Sequence, residues 1–68
     1  MKLTRYQKSM NEHYKLRQKA ADMPGKNGEL RYAYHDTVIR MQKKDGRVMS
    51  KKDRGWLWKN LKNTIFGG

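Results

Sequence analysis

Glu29-Leu30-Arg31-Tyr32-Ala33-Tyr34-His35-Asp36-Thr37-Val38-Ile39-Arg40-Met41-Gln42-Lys43-Lys44-Asp45-Gly46 is the stretch whose reading decides the fold. Leu30, Tyr34, Val38 and Met41 fall on one helical face, with Ala33 and Thr37 beside them. Glu29 suits the positive end of a first turn, and Lys43-Lys44 ahead of Asp45-Gly46 reads as a basic last turn closed by a glycine cap. The same residues admit a second reading. Arg31 to Tyr34 and Thr37 to Ile39 are rich in strand formers, and Asp45-Gly46 could turn a hairpin into Arg47-Val48-Met49. No Gly or Pro interrupts residues 29–45, and a run of that length without a breaker favours helix. The hairpin remains the alternative, an α+β fold turning at Asp45-Gly46.

Upstream, Leu3, Tyr6, Met10, His13, Leu16, Ala20 and Met23 recur at spacings of three and four. Thr4 is the expected N-cap and Pro24 the expected stop, which predicts a helix over residues 4–23. Pro24-Gly25-Lys26-Asn27-Gly28 reads as a break. Downstream, Ser50-Lys51-Lys52-Asp53 resembles a capping box with Asp in the Glu or Gln position. Leu57, Trp58, Leu61 and Ile65 share a face there, and Gly55 weakens the first turn by about 1 kcal/mol relative to Ala. Helices over 4–23, 29–45 and 51–66 give an all-α, three-helix domain spanning residues 1–68. Met10, Met23, Met41 and Trp58 are expected in its core. Trp56, Tyr32 and Phe66 fall off the apolar faces.

The core is thin. Leu, Ile, Val and Phe account for 10 of 68 residues, and a share below about 20% with high net charge weakens the case for a large apolar interior. There is no Cys for a disulfide or a thiolate metal site. No window approaches the roughly 18 apolar residues of a transmembrane span. The first twenty residues carry basic side chains throughout and lack an apolar h-region, so a cytoplasmic protein is expected.

Charge is the dominant feature. Seventeen Lys and Arg against six Asp and Glu leave a net +11. Both halves are basic, so the field belongs to the whole domain. Its densest part runs from Lys43 to Lys62, where eight basic residues meet two acidic ones. Such a field suits a polyanion, since each phosphate neutralised releases condensed counterion. Arg31-Tyr32-Ala33-Tyr34-His35 and Arg54-Gly55-Trp56-Leu57-Trp58-Lys59 interleave basic and aromatic side chains, a pattern in which rings stack on bases while cations follow the backbone. The expected phosphate contacts are Lys43, Lys44, Arg47, Lys51, Lys52, Arg54 and Lys59, with Trp56 stacking or inserting.

Catalytic and metal patterns are absent from the sequence. His13 and His35 lie on different segments with no HxxxH or HxH spacing, and His13 reads as a boundary residue. The Pro24–Gly28 glycines lack the context of a phosphate-binding loop. Ser9 and Ser50 have no nearby base, and so short a chain is expected to build little concavity. The leading expectation is a non-enzymatic protein without a cofactor that binds nucleic acid, DNA ahead of RNA, through the sugar–phosphate backbone. The alternative is a small regulator docking on an acidic surface of a larger machine, such as a polymerase or nuclease. A lesser one is action at a membrane surface through the cationic, Trp-bearing segment Gly55 to Phe66.

Overall fold

The computed structural model describes residues 2–67, and the expected three helices are there: α1 (Arg5–Ala21), α2 (Gly25–Asp45) and α3 (Lys51–Phe66). No strand occurs among the described residues. Residues 29–45 are helical throughout, and Gly46 ends α2 in the left-handed region (φ 69°, ψ 20°) with its N–H donating to the Gln42 carbonyl. The turn residue that also suits a hairpin therefore caps a helix. Helix formation pairs most backbone groups of this long stretch locally, whereas a lone two-stranded hairpin is marginal in water.

The caps follow the sequence closely. Thr4 Oγ1 accepts from Gln7 N–H at 3.0 Å while Gln7 Oε1 accepts from Thr4 N–H at 2.9 Å, a reciprocal capping box. Ser50 Oγ accepts from Asp53 N–H at 3.1 Å. Among the described residues the shorter Asp53 side chain makes no return bond to Ser50.

The break between the first two helices is tighter than expected. α2 begins at Gly25, four residues before the predicted start, directly after Pro24. Gly28 lies inside the first turns rather than in a loop. A Cβ there would overlap the Met23 carbonyl, so glycine is what lets the end of α1 approach α2 so closely.

α2 is the central element. It packs on α1 along one side and on α3 along another, and among the described residues no Cα of α1 lies within 8 Å of one in α3. A helix serving two neighbours needs a wider buried surface than a single stripe. Leu30, Val38, Ile39 and Gln42 are buried, and Tyr34 is half-buried against the cluster of Val38, Met49 and Leu57. Met41, expected in the core, is 41% exposed, and its place is taken by Gln42 at 0%. On α1, Met10, His13 and Ala20 are buried, but Leu3 and Met23 at the ends of the predicted stripe are exposed. On α3, Leu57 is buried, while Trp58, Leu61 and Ile65 are half-buried because that helix has one neighbour only.

Gln42 holds the junction together. Its Oε1 accepts from Met49 N–H at 3.0 Å, and its Nε2 donates to Ser9 Oγ at 3.2 Å and lies 3.4 Å from Met10 Sδ. One buried amide thus ties α1 to α2 and satisfies a backbone donor of the linker to α3. Elsewhere on the α1–α2 seam, Asp36 receives Arg17 at 2.7 Å and Arg40 at 3.1 Å.

Candidate nucleic-acid interface

The basic residues of the α2–α3 linker do not stand alone in the folded protein. Gly46 ends α2, and Ser50, four residues later, caps α3, whose N-terminal turn shares a cleft with the beginning of α1. The result is a cleft of about 650 Å³ lined by Arg5 and Tyr6 of α1, Arg47 and its neighbours in the linker, and Lys51 and Arg54 of α3. No carboxylate is among its lining residues. Four cations from three chain segments thus surround one concavity. The dipole of α3 directs its positive end to the same place.

Three of the expected contacts, Arg47, Lys51 and Arg54, meet in this cleft. Lys43 and Lys44 are exposed on the last turn of α2, and Lys52 and Lys59 are exposed on α3; none of the four lines the cleft. Trp56 is 67% exposed and also lies outside it. The tryptophan nearest the cations is Trp58, which lines an adjoining cleft with Tyr34, Lys51, Arg54 and Gly55. Arg5 went unnoticed in the sequence, since it lies 42 positions before Arg47 and only the tertiary fold brings the two together. Asp45 and Asp53, the acidic members of the cluster, line an adjoining cleft that shares Arg47, Val48, Met49 and Ser50 with this one.

Arg54 is the hub of this face. It lines three adjoining clefts, makes no ion pair among the described residues, and has an Nε that is buried without a hydrogen-bond partner. An unmet donor of this kind costs about 1–3 kcal/mol.

Behind Arg54 lies a feature with no local sequence signature. His13 Nδ1 and His35 Nδ1 are 2.9 Å apart, so one imidazole donates to the other across the α1–α2 seam. His13 is buried, not a boundary residue. The Tyr34 ring meets His13, His35 and Trp58 edge-on, with centroids 6.3, 5.0 and 5.3 Å away. Aromatic contact therefore runs from α3 through α2 to α1. Burial lowers the His13 pKa, the nearby Arg54 charge lowers it further, and Glu12 opposes both. His35 falls to about 4, chiefly through burial, then through His13 and Arg31, again against Glu12. Both rings are neutral at pH 7. Among the described residues no three His, Asp or Glu side chains gather as a metal site.

On the opposite flank of α2 the aromatic and basic residues pair with each other. The Arg17 guanidinium lies 5.2 Å from the Tyr14 ring and 5.9 Å from the Tyr32 ring, in addition to its bond to Asp36. Among the described residues no helix is long and apolar enough to cross a membrane. Comparison with protein-family models, curated proteins and solved structures finds no match to this chain.

Proposed function

We propose that this protein is a small, non-enzymatic nucleic-acid-binding domain that grips the sugar–phosphate backbone with little reading of sequence. One observation carries the proposal: Arg5, Arg47, Lys51 and Arg54 converge on a single cleft whose lining holds no carboxylate. Cations kept only for solubility gain nothing from convergence and lose through mutual repulsion. A phosphate chain reverses that repulsion and releases counterions as it binds. Tyr6 in the cleft, and Trp58 in the adjoining one beside Lys51 and Arg54, are the rings available to a base or sugar. DNA is the expected polymer.

The test is a titration with random-sequence duplex and single-stranded DNA across a range of salt. Four phosphate contacts on duplex DNA give a log–log slope of about −3.6. Replacing Arg47 and Lys51 by Glu should flatten that slope by about 2. Lys19→Glu is the control: it lies some 21 Å along α1 from Arg5 and should leave the slope within about 1 of the parent. Equal slopes for the cleft and control variants would remove the basis of the proposal.

The exposed Trp56 supports a second reading, docking on an acidic protein surface, because a large ring outside the cleft suits an interface anchor. Trp56→Ala separates the two. It leaves backbone binding intact if the cleft is the contact and abolishes binding to a protein partner if the ring is the anchor.

A further inference from the structure

We propose that the cavity between His13, His35 and Arg54 is a binding site for a phosphate monoester group, either at the end of a nucleic-acid strand or free. The proposal rests on and refines the polyanion reading of this face, with which the cavity shares Arg5, Val48 and Arg54. Its volume is about 430 Å³, and its lining includes Arg5, Lys8, Ser9, His13, His35 and Arg54. Three permanent cations, a hydroxyl donor and a hydrogen-bonded imidazole pair thus face one space, against the single carboxylate of Glu12. Among the described residues Arg5, Lys8 and Arg54 have no ion-pair partner.

Two neighbouring imidazoles raise the question of a metal ion, and the surroundings answer it. A dication would sit beside the same charges that already disfavour a proton on either ring, Arg54 next to His13 and Arg31 next to His35. An oxyanion is favoured by those charges. A diester carries one negative charge, whereas a monoester carries close to two at pH 7 and suits three converging cations better. Ser9 is within reach of the same chemistry, since its hydroxyl is bonded only to the Gln42 amide, at 3.2–3.3 Å.

Occupation by an anion also offsets the field acting on the imidazoles. The groups around the pair are Arg5, Lys8 and Glu12 from α1, Arg31 and Tyr34 from α2, and Arg54 from α3. Glu12 alone among them favours protonation. A bound dianion strengthens that tendency, so anion binding and proton uptake reinforce each other.

The experiment follows the side-chain nitrogen resonances of His13 and His35 in the intact protein during addition of inorganic phosphate. Beside it, the affinities of a short DNA strand with and without a 5′-phosphate are compared. Phosphate should shift both histidines saturably, and the shift should vanish in Arg54→Gln and weaken in Arg5→Gln, whose exposed side chain is not needed for folding. The 5′-phosphorylated strand should bind at least about fivefold more tightly than the unphosphorylated one, the effect of one added charge-assisted contact. Equal strand affinities with a saturable phosphate shift assign the site to free phosphate groups and uphold it. Phosphate binding without any DNA binding upholds the site and removes the nucleic-acid function. DNA binding with no histidine shift and no end preference overturns the site and leaves that function standing. Sulfate, whose charge is constant between pH 7 and 5, should bind more tightly at pH 5. A flat sulfate profile removes the imidazoles from the site.

Discussion

Gln42→Leu tests how the three helices are held in register. The substitution keeps the side chain close to its size but replaces an amide that is 0% exposed and serves α1, α2 and the linker at once. The groups it strands differ in consequence. Met49 is buried, so its N–H, now bonded at 3.0 Å, is left without a partner at a cost of about 1–3 kcal/mol. Ser9 is half-buried and its hydroxyl can turn to water, which limits its share to about 0.5 kcal/mol. The Met10 sulfur is a weak acceptor and loses little. Leucine regains part of the loss because it needs no desolvated amide, so the net expectation is about 1–3 kcal/mol. A chain of this size has a total stability of about 3–10 kcal/mol, so the loss is a large fraction of the whole. Urea unfolding followed by far-UV circular dichroism gives the free energy, and a loss of 2 kcal/mol corresponds to a drop in Tm of about 8–16 °C. Amide exchange locates it: the Met49 N–H should be protected in the parent and exchange early in the variant. Ser9→Ala should cost less than about 1 kcal/mol. Equal stability of Gln42→Leu and the parent, or equal losses in the Gln42 and Ser9 variants, would refute the assignment of Gln42 as the hub.

Two further predictions concern the helix seam. His35 has a folded pKa of about 4 against 6.5 when unfolded, so the unfolded chain binds more protons between those values and stability is lost as pH falls from about 6.5 towards 4. For a half-buried ring the loss is about 1–2 kcal/mol, with His13 acting in the same direction, and denaturant unfolding at pH 7 and pH 4.5 should show it in the parent and not in a His13→Gln/His35→Gln double variant. Glycine-to-alanine substitutions should have opposite signs: Gly28→Ala forces the Met23 carbonyl away and costs about 1–3 kcal/mol, whereas Gly55→Ala, with nothing within 4 Å of the new methyl, gains about 0.5–1 kcal/mol, both read as shifts in Tm.

Much of the fold was legible because its decisive signals are local. Thr4, Gly46 and Ser50 mark helix ends by chemistry that acts over three or four residues, and the bounds of α3 follow from them. The core of α2 was less legible, because which faces are buried depends on how many neighbours a helix has. Leu30, Tyr34 and Val38 form a row at intervals of four whose next member is Gln42. Following apolar character instead of spacing leads to Met41, which is exposed. The row itself was the available signal, and polarity hid it. The histidine pair and the approach of Arg5 had no such signal. Their partners lie 22 and 42 positions away, and only the packing of α1 against α2 and the path of the linker join them.

The distribution of charge pairs, more than the net +11, separates function from solubility in this chain. On the outer α1–α2 seam Asp36 draws in both Arg17 and Arg40, and two tyrosine rings add to the hold on Arg17. Cations there are neutralised by the protein itself. Around Arg54 the protein does the reverse. It gathers Arg5, Arg47 and Lys51 around one cleft whose own lining holds no carboxylate, strands one guanidinium nitrogen, and adds its charge to burial in lowering the pKa of a histidine. The first two destabilise the isolated fold, in a chain whose stability is small to begin with, and the third does so only below about pH 6.5. Solubility needs cations dispersed over the surface, and dispersal would avoid their mutual repulsion. On the proposed reading an anion supplies the missing charge from outside, and such a ligand would stabilise the fold in proportion to how tightly it binds.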